Sequence, residues 1–468
     1  MSLKIVRNDF PTVVLYIFLV TAGMLMLYSV GRPPDGYNWD IPEMLGSFMG
    51  KQFIWLLISV AAWFIVHHFI DRDIWVKGSY PIYGITLLML LLVLIFGKEI
   101  NNARSWFSIA GFTFQPSELA KFGAALAMAA FLSQWSEKLN SIGSVGSGLL
   151  IMALPAGLIM LQPDPGSALV FGSFLLVMYR EGLSPLILML GIFTATMFLI
   201  GILFPTTLLA GGLLGLLLII MALSVPRRLR LWLAGTIVLL AASVYAYTIG
   251  VGWLVLLALF LAFCAASTYH VLRQNIRLVM LSFGALFWGV LIAFAANFTF
   301  NNVLRPHQQD RIDAWLRPTG MSEQGALYNI TQSKLAIAAG GLSGRGLEDG
   351  TITKYDYVPE QETDFIFSAV GESQGFIGSA VIILAFMALL WRISVIAERQ
   401  KRTFARAYAY GVAGIILIHM LVNIGMTMGL MPVIGIPLPF ISKGGSSLLS
   451  FTVMIAVLVK LDRHRVDV

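Results

Sequence analysis

The sequence predicts an all-α polytopic membrane protein, and three observations carry that prediction. Hydrophobic residues fill 58% of the 468 positions and charged residues only 12%, with a mean hydropathy of +0.83. A soluble domain carries roughly twice that charge fraction. Apolar runs of near-span length recur along the chain, about fourteen by the ~20-residue criterion. One long polar island, from about Asn301 to Asp364, interrupts them.

The runs fall at roughly 12–30, 53–70, 80–97, 118–134, 147–162, 165–180, 185–203, 206–224, 231–248, 252–270, 278–298, 365–391, 406–428 and 441–460. Lys4 and Arg7 precede the first run, which has full span length and no small-residue cleavage site, so it reads as a retained helix. Basic residues then collect on alternate turns: Arg72 and Lys77, Lys138, Arg180, Arg227-Arg228-Arg230, Arg273 with Arg277, the group from Arg392 to Arg406, and Lys460 with Arg463 and Arg465. The positive-inside rule makes the number of spans even, puts both termini in the cytoplasm and leaves the loop 299–364 outside. Residues 185–271 differ in texture, being rich in Leu, Ala, Gly and Ile with charge only in short basic turns. They read as about four plain packing helices.

Composition excludes several function classes. The lone Cys264 lies in an apolar run, so disulfides and cysteine metal sites are out. The six histidines form no metal constellation, and no metal site is expected. The net charge of +7 sits in short loops as an orientation signal, so nucleic acid is not an expected partner.

Chemistry-bearing residues cluster near the span ends. In the 98–117 loop, Arg104 and Trp106 stand just outside a span, and Gln115-Pro116-Ser117-Glu118 opens a helix with Ser117 as candidate N-cap. Glu118 and Lys121 are spaced to share a helix face and pair. Gln162-Pro163-Asp164-Pro165 breaks two spans with almost no loop, which puts Asp164 at the membrane border as a turn cap. Within the island, Gln332 lies on a short amphipathic stretch. Gly340, Gly341, Gly344 and Gly346 beside Arg345 would let backbone amides approach an anion. Glu360, Glu362 and Asp364 enter the next span together, and Glu372 lies deeper in the same run. Pro432, Pro437 and Pro439 with Gly435 preclude a regular helix before Ser442, Lys443, Ser446 and Ser447. Irregular backbone at membrane depth survives only inside protein or beside a water-filled cavity.

Together these stretches resemble the SEDS family of bacterial cell-wall polymerases, most closely its elongation branch. The residues that carry the resemblance are ARSWF from Ala103, FQPSELAKF from Phe114, QPDPGS from Gln162, HQQDRI from His307, YNITQSKLAIAAGGLSGRG from Tyr328, Gly350-Thr351, VPEQETDFIF from Val358 and GIPLPFISKGGSS from Gly435. The resemblance covers about 1–183 and 275–468. It implies a ten-span core in two parts, 1–183 and 275–468, with 184–274 as an inserted block of about four helices.

The resemblance also implies an activity. A member polymerises lipid II on the outer face of the cytoplasmic membrane during cell elongation. It works with a class B penicillin-binding protein and other membrane proteins of the elongation machinery, on lipid II and the nascent glycan strand. The acceptor hydroxyl attacks the donor anomeric carbon with inversion, and undecaprenyl pyrophosphate leaves. That requires one carboxylate as general base, and cationic groups or a divalent ion at the pyrophosphate. No other cofactor is implied.

Here the chain departs from the family pattern, which places an essential Asp in this loop as Asp-Pro-x-Gly-x-x-Tyr. Counting back from Tyr328 and Gly325, that position holds Ser322, and Glu323 replaces the proline. Glu323 becomes the first candidate base, with Asp310 and Asp313 behind it. Arg104, Arg311 and Arg345 are the candidates for pyrophosphate contacts; Trp106, Glu118, Lys121, Gln332, Glu360, Asp364, Lys443 and Ser446 are expected to shape the substrate cavity. The competing readings are a flippase for lipid-linked precursors, a weakly active polymerase-like scaffold, and a glycan polymerase of another pathway.

Overall fold

The computed structural model describes residues 9–31, 46–100, 103–109, 112–135, 139, 141–224, 235, 252–318 and 325–465. The 231–248 run apart from residue 235, the basic residues Lys4, Arg7, Lys138, Arg227, Arg228 and Arg230, and the pair Ser322 and Glu323 lie outside them.

The chain begins with α1 (Phe10–Val30), α2 (Phe48–His68), the short α3 (Arg72–Lys77) and α4 (Ser79–Phe96). Then come β1 (Lys98–Ile100), β2 (Ala103–Ile109) and β3 (Phe112–Phe114). Next are α5 (Pro116–Trp135), α6 (Ile142–Met160), α7 (Pro165–Val170), a 3₁₀ turn and α8 (Phe174–Arg180). The middle of the chain forms α9 (Pro185–Leu203), α10 (Thr206–Leu223), α11 (Gly252–Leu272) and α12 (Ile276–Phe298). The last part holds α13 (Pro306–Leu316), α14 (Ala326–Ala339), α15 (Thr351–Lys354), α16 (Ile366–Glu398), α17 (Thr403–Thr427) and α18 (Gly445–Arg463).

Among the described residues, eleven helices are long and apolar enough to cross a membrane. The helix α5 matches the others in length but starts with a charged turn, and Pro165–Arg180 is a shorter apolar helix. The all-α expectation needs correcting at 98–114, which folds as a three-stranded antiparallel sheet in the order β1-β2-β3. The register pairs Glu99 with Arg104 and Phe107 with Phe114. The aromatic residues Trp106 and Phe107 on β2 and Phe114 on β3 suit a pleated surface. Within the 299–364 segment lie α13, α14 and α15, none of them of span length.

Two compact units account for the chain, residues 1–184 with 310–468, and residues 185–309. In the first, α18 packs on α2, α5 on α4 and α17, and α16 on α1, α14 and α17. Its inner helices α17 and α18 are 72% and 83% buried within the protein, so their polar side chains face protein rather than lipid. In the second unit, α10 packs on α11 through Leu214, Leu218, Leu259 and Phe263. There α9 crosses α12 closely, because an added Cβ at Gly201 would lie 2.9 Å from Ala293 Cα. This unit begins at Pro185 and takes α12 with it, because α12 packs on both α9 and α10.

The helix α16 is broken at Gly375, whose φ of 63° and ψ of −162° are non-helical. The glycine-rich strap after α14 fills the break. Arg345 N donates to Glu372 O and Gly346 N to Ser373 O, both at 3.0 Å, while Phe376 N donates to Gly341 O at 2.9 Å. The strap thus satisfies the backbone groups that the break would otherwise orphan in an apolar setting. Gly375→Ala would push a Cβ to 2.3 Å from Gly344 N. The expected loss is about 2–4 kcal/mol from strain and clash, read as a lower melting temperature of the detergent-solubilised protein.

Candidate functional site

The site assembles in the first unit from four sequence-distant pieces: the turn 162–167, the loop 358–364, the irregular segment 432–444 and α13. Asp164 caps α7 by accepting Ser167 N at 3.0 Å, as its position between two prolines predicts. Its other carboxylate oxygen accepts Gln115 Nε2 at 3.0 Å. Gly166 lets this turn meet the irregular segment, since an added Cβ there would lie 2.9 Å from Ile434 O.

The loop 358–364 is tied to the irregular segment by three side chains. Asn423 Nδ2 donates to Asp364 O at 2.9 Å and to Ile436 O at 2.7 Å. The Ser442 hydroxyl donates to Thr363 O at 2.6 Å and accepts Leu438 N at 2.8 Å. Lys443 N donates to Glu362 O, and Lys443 Nζ lies 3.3 Å from Glu362 Oε1 and 3.8 Å from the Phe48 ring centre. Below these ties, Ala314, Ile330, Val358, Phe365 and Val433 form one apolar cluster, which fixes α13 and α14 against the loop.

Asp364 is the focus of this arrangement. Gly435, with φ of 78°, lies so close that an added Cβ would be 3.2 Å from Asp364 Oδ2 and 3.9 Å from Arg311 Nη1. The Asp364 carboxyl is pushed up to about 7 by burial first, and then by Glu360, Asp164 and Glu362, against the opposing pull of Arg311. Burial raises the Asp164 carboxyl as well. A carboxyl poised near neutrality beside a guanidinium suits proton transfer next to a bound anion.

The 432–444 segment also meets a buried charge cluster, through Pro437. Lys121 Nζ lies 2.7 Å from Glu118 Oε1, so the pair expected from i,i+3 spacing forms. Lys121 Nζ also lies 2.9 Å from His419 Nε2, and all three side chains are almost fully buried. Sequence reasoning missed His419, Asn423 and Gln115. A histidine and an asparagine inside the apolar run 406–428 were the available signal. Ser117 is not the N-cap: the helix starts one residue earlier at Pro116, whose fixed φ and missing N–H suit the first helical position. The Ser117 hydroxyl instead lies 3.5 Å from that of Ser167.

Other candidates lie elsewhere. Arg104 is exposed on β2 and Trp106 is half-buried on the same strand. Asp310 is exposed on α13; Asp313 lies 3.8 Å from Arg317 Nη1. Gln332 is half-buried on α14, and Ser446 is buried in the first turn of α18. The amides of Arg345 and Gly346 serve the α16 break, and the Arg345 guanidinium donates to Ala339 O and Thr351 Oγ1, both at 3.0 Å. Glu372 accepts Ile352 N at 2.9 Å and Thr353 N at 2.7 Å, so it caps α15. Glu323 lies outside the described residues. Among them, no three His, Cys, Asp or Glu side chains are grouped as metal ligands.

The fold and cleft define a polytopic helical membrane protein with an ionisable site walled by broken backbone. Residues 11–212 and 223–467 match the model of the FtsW, RodA and SpoVE family of cell cycle proteins, and the chain belongs to that family. The match therefore continues through most of residues 184–274.

The chain is 30% identical over 460 residues to the peptidoglycan glycosyltransferase RodA of Treponema pallidum, covering 96% of this chain and 95% of that protein. It is 28% identical to the stage V sporulation protein E of Bacillus subtilis, covering 99% of each. Among solved structures, a chain of a peptidoglycan synthase complex that coordinates polymerization and crosslinking matches with a TM-score of 0.60 at 23% identity, over 99% of both chains. The rod shape determining protein RodA of Thermus thermophilus matches at 0.56 and 23%, over 98% of each. These structural likenesses establish the fold.

Asn423→Leu removes both buried N–H donations while keeping the branching of the side chain. It is expected to cost about 2–3 kcal/mol, measured as a lower thermal midpoint in detergent.

Proposed function

We propose that this chain is a peptidoglycan glycosyltransferase that polymerises lipid II into glycan strands during cell elongation. Family membership over nearly the whole chain carries the reading, together with relatives that are named for this activity. The chain sits in the bacterial cytoplasmic membrane, with both termini inside and the cleft facing out. Its partners are lipid II, the growing strand, a class B penicillin-binding protein and other membrane proteins of the elongation machinery. The structural match to a chain of a polymerising and crosslinking complex supports the transpeptidase partner.

The reaction breaks the anomeric C–O bond to the pyrophosphate of the donor and forms a new bond to the acceptor hydroxyl, whose proton goes to a carboxylate. Undecaprenyl pyrophosphate departs with the electron pair. Arg311, the cation that acts on Asp364, supplies cationic stabilisation, and a divalent ion is the accessory this reaction class uses. Glu118, Lys121, Gln332, Lys443 and Ser446 shape the cavity.

Glu323 is the first choice as base, with Asp310 and Asp313 behind it. Asp364 is the second reading, favoured by its contact with the Gly435 wall and its carboxyl near neutrality. Glu323→Gln is expected to cut product from labelled lipid II by about tenfold or more while the protein stays folded; wild-type rates in that variant would remove Glu323 as the base. A base acts when deprotonated. If Asp364 titrates near 7, product formation rises with pH over about one unit on either side of that value. Asp364→Asn should abolish the rise, and an unchanged pH profile in that variant would exclude Asp364.

A further inference from the structure

Stability alone does not require the buried triad Glu118–Lys121–His419. A buried ion pair recovers its desolvation cost only when every polar atom is satisfied. Here Glu118 Oε2 is buried without a hydrogen-bond partner. Well-packed apolar residues of the same volume would do at least as well for folding. The retained charges therefore call for another explanation, and the geometry supplies one.

His419 joins two structures that share no sequence. Its Nδ1 lies 2.9 Å from Pro437 O, a pure acceptor, so Nδ1 carries the proton. Its Nε2 is then a lone pair facing Lys121 Nζ at 2.9 Å. Lys121 in turn holds Glu118 at 2.7 Å, while the Ser450 hydroxyl donates to Glu118 O at 2.7 Å. Phe451 closes the other sides, with its ring centre 5.8 Å from Lys121 Nζ and 5.2 Å from the His419 ring. Pro437 lies two residues from Gly435, the glycine against Asp364 and Arg311. A ring with one donor and one acceptor thus fastens the wall of the cleft to a charge pair on α5.

We infer that His419 is a positioning residue for glycan transfer, linking the Glu118–Lys121 pair to the Pro437 carbonyl and so holding the irregular wall beside Asp364 and Arg311. The inference rests on the polymerase reading above. Small displacements of a reacting group lower turnover more than substrate binding, so the effect falls on kcat.

Two variants test it in a lipid II polymerisation assay with the full-length protein. His419→Gln keeps one acceptor and one donor at a similar spacing; His419→Phe keeps a ring against Phe451 but neither hydrogen bond. The expected result is a kcat lowered by about tenfold or more in His419→Phe, with KM within about twofold of wild type. His419→Gln should recover to within about threefold. Wild-type kcat in His419→Phe would overturn the inference, as would a folded but unrescued His419→Gln.

If His419→Phe does not fold, the combined variant Glu118→Leu, Lys121→Met, His419→Phe leaves no orphaned charge. It should fold yet remain slow, and normal turnover in it would also overturn the inference. An inactive wild-type protein would instead count against the polymerase reading itself.

Discussion

The constraint on which this structure depends is the need to satisfy non-helical backbone at membrane depth. Residues 432–444 cross the interior of the first unit without regular structure. In hydrocarbon each unpaired backbone group costs several kcal/mol. The chain meets that cost with side chains from neighbouring helices, Asn423 for Ile436 O, His419 for Pro437 O and Gln52 for Gly444 N, and with one from the segment itself, Ser442 for Leu438 N. Two of these four donors or acceptors, Asn423 and Ser442, also hold the loop that ends in Asp364. Satisfying the backbone and building the cleft are thus the same operation.

The same logic explains the break in α16. There a glycine strap, rather than side chains, supplies the partners, and Glu372 caps the short helix that follows. Both breaks need glycine where a left-handed backbone meets a close neighbour, at Gly375 and at Gly435. An apolar run with glycine and proline at fixed places therefore encodes interrupted helices as well as spans. The second unit has plain apolar helices, and its described packing rests on small residues and leucines.

The parts legible in the sequence were those with local cause. Span-length runs gave the helices, i,i+3 spacing gave the Glu118–Lys121 pair, and Asp between two prolines gave the α7 cap. The sheet at 98–114 was missed because three short strands carry too little periodicity to compete with an anchor reading. The role of His419 was hidden because its partners, Lys121 and Pro437, lie on other elements far from it in sequence. Glycines 340–346 looked suited to an anion by composition. Their local geometry is set by the break in α16, a tertiary feature that no local pattern announces.

The proton affinity of Asp364 depends on the charges gathered around it. Asp364 is set among Asp164, Glu360 and Glu362, with Arg311 as the cation acting on it. Three like charges and burial raise a carboxyl, and one guanidinium lowers it only in part. The balance is sensitive to distance, so a wall that drifts by a fraction of an ångström shifts both the proton affinity and the aim of the group. That sensitivity gives the chain a physical reason to keep charge and histidine buried behind the wall, where apolar packing alone would leave Pro437 free to move.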